Sequence, residues 1–115
     1  MKTIELGDFM STLASAVQNV AAEKLEIAFN LHKPEEFAVI ATNKGTPTRA
    51  DWRINLPAPM GDFIWSLYAM LKETIDLEDD RSVFDVFLEN ATNRRGWVVV
   101  IVTQDRTYAE CREQL

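Results

Sequence analysis

The sequence has few of the residues on which disulfides, nucleophilic catalysis and phosphate binding depend. It contains one cysteine, one histidine, four glycines and four prolines in 115 residues. A single cysteine, Cys111, excludes an intrachain disulfide, and no partner for Cys111 or His32 stands at a spacing typical of a nucleophilic site. The few glycines form no phosphate-binding loop. We therefore expect a protein that is not an enzyme and has no catalytic residue, metal or cofactor.

The sequence also lacks a long apolar segment. No window approaches the length that a membrane-spanning helix needs. Residues 1–7 carry one lysine and no extended apolar run, so no signal peptide is visible. With one cysteine and neither of these segments, we expect a cytoplasmic protein that makes no membrane contact.

The sequence has fewer basic than acidic residues. There are 12 lysines and arginines against 18 aspartates and glutamates, which gives a net charge of −6. Such a chain repels the phosphate backbone, so we expect no nucleic-acid partner. It also lacks the basic patch that anionic lipids attract. A basic protein is the kind of partner that this charge favours.

Apolar residues are plentiful enough for one folded domain spanning residues 1–115. They make up 47% of the chain, and 6 Phe, 3 Trp and 2 Tyr are spread along its length. The most informative segment is Trp97–Thr103, in which five consecutive aliphatic residues follow a tryptophan. Alternate side chains of a strand point to opposite faces, so both faces of this strand are apolar. The pattern predicts a central strand, or a sheet face that another molecule completes.

Hydrophobic periodicity predicts an α+β fold in the order helix, three strands, helix, two strands. We expect a five-stranded, mainly antiparallel sheet with the two helices packed on one face. Asp8 is predicted to cap the first helix. The predicted helices are about Asp8 to Glu23 and Met60 to Ile75; the strands are Leu25 to His32, Phe37 to Thr42, Asp51 to Leu56, Val83 to Glu89 and Trp97 to Thr103; Asp105 to Leu115 is a short polar tail of a helical turn or two.

The sheet face away from the helices is predicted to carry a second apolar patch. An exposed apolar patch marks an interface in soluble proteins. A homodimer or a docked partner could cover it, and so could the tail and loops of the same chain. The last strand contributes one of two sets to this patch, either its even-numbered valines or Trp97, Val99 and Ile101. In both cases Ala38 or Ile40 of the second strand belongs to the patch as well. The predicted contact residues are Phe87, Val98, Val100 and Val102.

A second candidate surface surrounds Trp65. On a helical wheel Trp65 lies off the apolar stripe of its helix, and tryptophan is enriched at binding hot spots. Burial against a loop is the alternative. Four carboxylates follow the helix; they do not match a calcium loop, and they form either a solvated corner or a docking surface that steers a basic partner. The predicted partner-binding residues are Asp62, Trp65, Lys72, Asp76, Glu78, Asp79 and Asp80.

The first helix has an uncharged polar face opposite its apolar stripe. Ser11, Thr12, Ser15, Gln18 and Asn19 lie on it, together with Ala22. Neutral polar groups lose less than charges when water is removed, so this face is suited to contact with another protein. A solvated face is the alternative.

The element order is similar to that of small antitoxin and immunity-type proteins and of class I chaperones of type III secretion. Those chaperones end with a long amphipathic helix, which Asp105 to Leu115 is too short and too polar to form. Our first hypothesis is a protein-binding module of the inhibitor, antitoxin or immunity type that occludes a basic protein. The second is a homodimeric chaperone-like or adaptor protein that uses the open sheet face. The third is a ligand binder or enzyme with a pocket lined by His32 and two carboxylates.

Overall fold

The computed structural model describes residues 1–19, 21–57, 63–74 and 81–115. Within them the chain forms a six-stranded sheet and three helices, which confirms the α+β class. The elements are β1 Lys2–Glu5, α1 Leu6–Gln18, β2 Lys24–Asn30, β3 Glu36–Asn43, β4 Thr46–Asn55, α2 Phe63–Thr74, α3 Arg81–Asn93, β5 Trp97–Thr103 and β6 Thr107–Arg112.

The strands follow the order β1-β4-β3-β2-β5-β6. All neighbours are antiparallel except β1, which runs parallel to β4. The three consecutive strands predicted after the first helix are confirmed as β2, β3 and β4, and they pair as an antiparallel meander. Its second turn is Lys44-Gly45, where both residues have positive φ, the geometry of a tight two-residue hairpin.

Strand β5 is bordered by β2 on one side and β6 on the other. Val99 and Val100 point to opposite faces, and both are 0% exposed. The prediction of a strand buried on both faces is therefore confirmed.

The helices cover one face of the sheet and form the main core with it. Phe9 of α1 contacts Phe29 and Phe37 of the sheet, with ring centroids 5.8 and 5.2 Å away. Helix α2 contributes four buried side chains at helical spacing, and α3 contributes Phe87 and Ala91. The α2 residues are Phe63, Ile64, Leu67 and Leu71.

The predicted strand Val83 to Glu89 is wrong, because this segment belongs to helix α3. Alternating Phe84, Val86 and Leu88 suit a strand, but Phe87 and Ala91 also stand four residues apart. Both of the latter are buried, so the helical period decides the packing. Residues Asn90 to Asn93, which lie between the two predicted strands, continue the helix, and Gly96 ends the connection to β5 with φ +82°.

Both ends of the chain differ from the prediction. The tail forms strand β6 instead of a helical turn, and β1 was not predicted. Helix α1 begins at Leu6 and ends at Gln18, so the predicted start at Asp8 and end at Glu23 are wrong. Glu5 occupies the cap position without a side-chain cap bond, and Asp8 lies in the first turn, where its charge favours the helix dipole.

Helix α2 is Phe63–Thr74 in the part of the chain that the structure describes. The predicted ends of this helix, Met60 and Ile75, lie outside the described residues.

Candidate protein-binding surface

Trp65 is presented to solvent by helix α2. Its neighbours Ile64 and Leu67 are fully buried, whereas the Trp65 side chain is 47% exposed. Ala69 and Lys72 stand four and seven residues after Trp65, on the same side of the helix, and both are exposed. The amphipathic helix thus anchors itself through one face and displays the indole on the other. The prediction that Trp65 lies off the apolar stripe is confirmed.

The remaining residues predicted around Trp65 divide into two groups. Lys72 is exposed on the same side of α2. The other five belong to the segments on either side of this helix and lie outside the described residues: Asp62, Asp76, Glu78, Asp79 and Asp80.

Helix α1 contributes a second exposed surface beside α2. Phe9 and Leu13 bury its inner side, and Met10 on its outer side is 46% exposed. Of the exposed residues of this helix, Asp8 alone is charged. The two helices contact each other on the same face of the sheet. We call the exposed sides of α1 and α2, with Met10 and Trp65, the helical surface.

The even-numbered valines predicted to form the open sheet face lie instead beneath the helices. Val98, Val100 and Val102 all belong to the main core. Phe87 lies on α3, is 1% exposed and stacks on Tyr68 with ring centroids 5.4 Å apart. None of these four side chains is on the outer face. The register of β5 directs its even-numbered valines toward the helices, and Phe87 belongs to one of those helices.

The outer face of the sheet carries the alternative set from the sequence. Val99 and Ile101 pack there with Ala28 and Ala38, and all four are at most 2% exposed. Trp97 and Tyr108 are partly buried against them. The apolar patch is therefore covered by side chains of the same chain, Tyr108 coming from the tail.

Ion pairs surround this small apolar cluster. Glu26, 7% exposed, contacts Arg112 at 2.8 Å and Lys24 at 3.5 Å. Arg112 also binds Glu110, and the Arg106 guanidinium lies 4.0 Å from the centroid of the Tyr108 ring. Burial by itself would lower the pKa of Arg112, but hydrogen bonds to the Glu26 and Glu110 carboxylates outweigh it and raise the pKa. The carboxylates of Glu26 and Glu110 are thus paired with Lys24 and Arg112 on this face.

His32 lines a wide cavity of about 460 Å³ at one end of the sheet. Lys33, Arg53 and Arg94 line it as well, and Glu35 is the one carboxylate among its described lining residues. Lys33 and Arg53 both bind Glu36, at 3.2 and 2.9 Å. The described residues that line this cavity thus supply one carboxylate, whereas the third hypothesis requires two beside His32.

The described residues contain no cluster of histidine, cysteine and acidic side chains that could hold a metal ion. None of their helices has the length and hydropathy required to cross a membrane.

Sequence periodicity located Trp65 but did not indicate the exposure of Met10, because Met10 stands three residues before the buried Leu13, at helical spacing. It also missed the contact between the Lys2 ammonium group and the Trp52 ring, because it did not predict β1, which places Lys2 beside Trp52. The signal that could have found β1 is weak: Ile4 alone stands between polar residues at its centre. Comparison of the whole chain with known protein families, curated proteins and solved structures finds no match in any of the three.

Proposed function

We propose that this chain is a non-enzymatic protein-binding module that contacts a basic partner protein through the helical surface. The observation that carries the proposal is the 47% exposure of Trp65 on a helix whose other face is fully packed. A tryptophan buries a large area on binding with little loss of conformational entropy, which suits it to the centre of an interface.

The solvent side of α1 extends this surface and adds one charged residue, Asp8. Ser11, Ser15 and Gln18 are exposed there beside Met10. A partner that covers them removes water from neutral groups, and this costs less free energy than desolvating ions. An apolar centre at Trp65 with a polar rim that is mostly uncharged has the composition of a specific interface.

The expected partner is basic because the chain carries a net charge of −6. Asp76, Glu78, Asp79 and Asp80, four of the 18 acidic residues, follow α2 in the sequence. Such charge accelerates encounter with a basic protein more than it strengthens the final complex. An inhibitor, antitoxin or immunity-type role, in which a basic target is occluded, fits these properties.

A homodimer through the outer sheet face is less well supported. Among the described residues, the large apolar side chains that are exposed are Met1, Met10, Trp65 and Leu115, and none is in the outer-face cluster. A partner on that face would have to displace paired charges without gaining an exposed apolar group.

The test is quantitative co-purification from the native cell with three variants. Trp65→Ala should lose a stoichiometric basic partner, and neutralising the four carboxylates from Asp76 to Asp80 should slow its association and reduce the salt dependence. Leu115→Ala, which removes another exposed apolar side chain, is the matched control and should retain the partner. Retention of every stoichiometric partner by Trp65→Ala would reject the helical surface as the binding site.

Folding must be checked in parallel. Because Trp65 is half exposed, Trp65→Ala should cost no more than about 1 kcal/mol of stability, whereas Phe63→Ala in the core should cost about 3–5 kcal/mol. Urea unfolding of both variants then separates lost binding from lost folding.

A further inference from the structure

An apolar cavity of about 250 Å³ lies between helix α1 and the sheet. Phe9, Leu13 and Ala16 of the helix form one wall, and Leu25, Phe37 and Trp52 are among the residues of the opposite wall. Thr12 is the one hydroxyl-bearing side chain among the described lining residues. The cavity exists because Ala16 is small where the apolar stripe of α1 crosses the sheet, so helix and sheet do not fill the space between them.

A cation stands beside this cavity. Lys2 pairs with Trp52 in the parallel register of β1 and β4, and its Nζ lies 5.3 Å from the centroid of the indole ring. Trp52 is itself a lining residue, and it stacks on Phe37 with ring centroids 6.4 Å apart. The arrangement therefore places the Lys2 ammonium group beside an apolar interior.

We propose that this cavity binds a medium-chain carboxylate. The aliphatic tail would lie between Ala16 and the aromatic side chains of Phe37 and Trp52, and the carboxylate would be held by Lys2. The apolar lining rejects a ligand with polar groups along its length, because these would be buried without hydrogen bonds. The ammonium group selects an acid over the corresponding alcohol.

The size of the cavity sets the length of the ligand. An apolar protein cavity of about 150 Å³ accommodates benzene. By proportion, a cavity of 250 Å³ has room for about ten non-hydrogen atoms, which matches octanoate. This site uses the inner side of α1 and does not depend on the proposed protein partner, which contacts its outer side.

Octanoate and octanol are the probes, and the three tryptophan indole N–H signals in a proton–nitrogen correlation spectrum are the readout. Only the Trp52 signal should shift saturably, since Trp65 lies on the outer side of α2 and Trp97 on the opposite face of the sheet. Ala16→Phe, which fills the cavity, should weaken both ligands by more than about tenfold.

Lys2→Gln tests the carboxylate contact without touching the core. It should weaken octanoate roughly two- to fivefold, as expected for one exposed ion pair, and leave octanol unchanged. Lys24→Gln, which removes an exposed lysine on the outer face, is the matched control and should change neither affinity. A Trp52 signal that does not move at millimolar octanoate, equal shifts of all three indoles, or equal weakening of both probes by Lys2→Gln would overturn the proposal.

Discussion

Arg112 of β6 and Glu26 of β2 meet above the strand that separates them. The Nη1 atom of Arg112 lies 2.8 Å from Oε2 of Glu26, although β5 stands between the two strands. Arg112 is paired with Trp97 in register, and Glu26 with Ile101, so the two side chains span the outer side of Val99. Their aliphatic stems cover this part of the sheet while their charges pair, which explains how Val99 is buried without a helix above it.

The ion pair should show strong energetic coupling. Arg112→Met keeps the apolar cover but removes one of the two cations at the nearly buried Glu26, and we expect a loss of about 1–3 kcal/mol. The double variant Glu26→Met/Arg112→Met should lose less than the sum of the two single variants, because the nearly buried Glu26 carboxylate, which Arg112→Met alone leaves without its arginine, is then absent. A double-mutant cycle by urea unfolding measures this, and simple additivity would contradict it.

Both faces of β5 should be equally sensitive to a polar group. Val99→Thr and Val100→Thr each place a hydroxyl in a fully buried site of almost unchanged volume, and each should destabilise by about 1–3 kcal/mol. Thr48→Val, at an exposed position of β4, is the control and should change stability by less than about 0.5 kcal/mol. If Val99→Thr unfolded at the same urea concentration as the unmodified chain, the outer face would not be excluding water.

Glu36 should contribute to the acid sensitivity of the fold. A hydrogen bond with Lys33, reinforced by Arg53, lowers the pKa of the Glu36 carboxyl below its ordinary value of 4.5. Its contribution to stability is therefore present above pH 4.5 and is lost as the pH falls through the lowered pKa of the folded state. In Glu36→Gln the free energy of unfolding should therefore decline less steeply as the pH falls below 4.5. Thermal unfolding from pH 7 to pH 3 measures this.

The control for Glu36 is Glu113→Gln, in the exposed C-terminal segment. It should leave the slope of stability against pH close to that of the unmodified chain. Equal flattening by both substitutions would assign the effect to net charge, not to the contact with Lys33.

Cys111 should react slowly with thiol reagents. Burial raises the pKa of its thiol above 9.0; a hydrogen bond with Asn90 opposes this in part, and the Glu110 carboxylate adds to it. At pH 8 the folded protein therefore holds less thiolate than the unfolded chain, and thiolate is the reactive form. We expect reaction with a disulfide reagent to be more than about tenfold slower in the native state than in urea, as measured by absorbance. Equal rates would contradict the burial of the thiol.

Local patterns were sufficient where one periodicity dominated. The uninterrupted apolar run from Trp97 predicted a strand covered on both sides, and the bounds of β5 agree with it. The helical spacing of Ile64, Leu67 and Leu71 predicted the buried side of α2, and with it the exposure of Trp65. In both segments the spacing of apolar residues along the sequence already specifies which side chains are buried.

Hydrophobic patterns gave the wrong secondary structure where the same residues fitted both the two-residue period of a strand and the period of a helix. Between Val83 and Glu89 the apolar side chains alternate and also recur every four residues. Only packing distinguishes these possibilities: as a helix, the segment buries Phe87 against Tyr68 and Ala91 within the core. The polar tail was misassigned for a similar reason, since β6 is stabilised by pairing with β5 and not by its own composition.

The sequence by itself determined the α+β class, the burial of β5 on both faces and the presence of a tryptophan on an exposed helix face, because each follows from the spacing of apolar residues along one element. Only the tertiary structure decided which face of β5 the helices cover, what shields the other face, and where the cavity beside Lys2 lies. These depend on strand register and on contacts such as Glu26 with Arg112, which join residues far apart in the chain. No local pattern encodes such contacts, because their free energy arises only when the sheet has assembled.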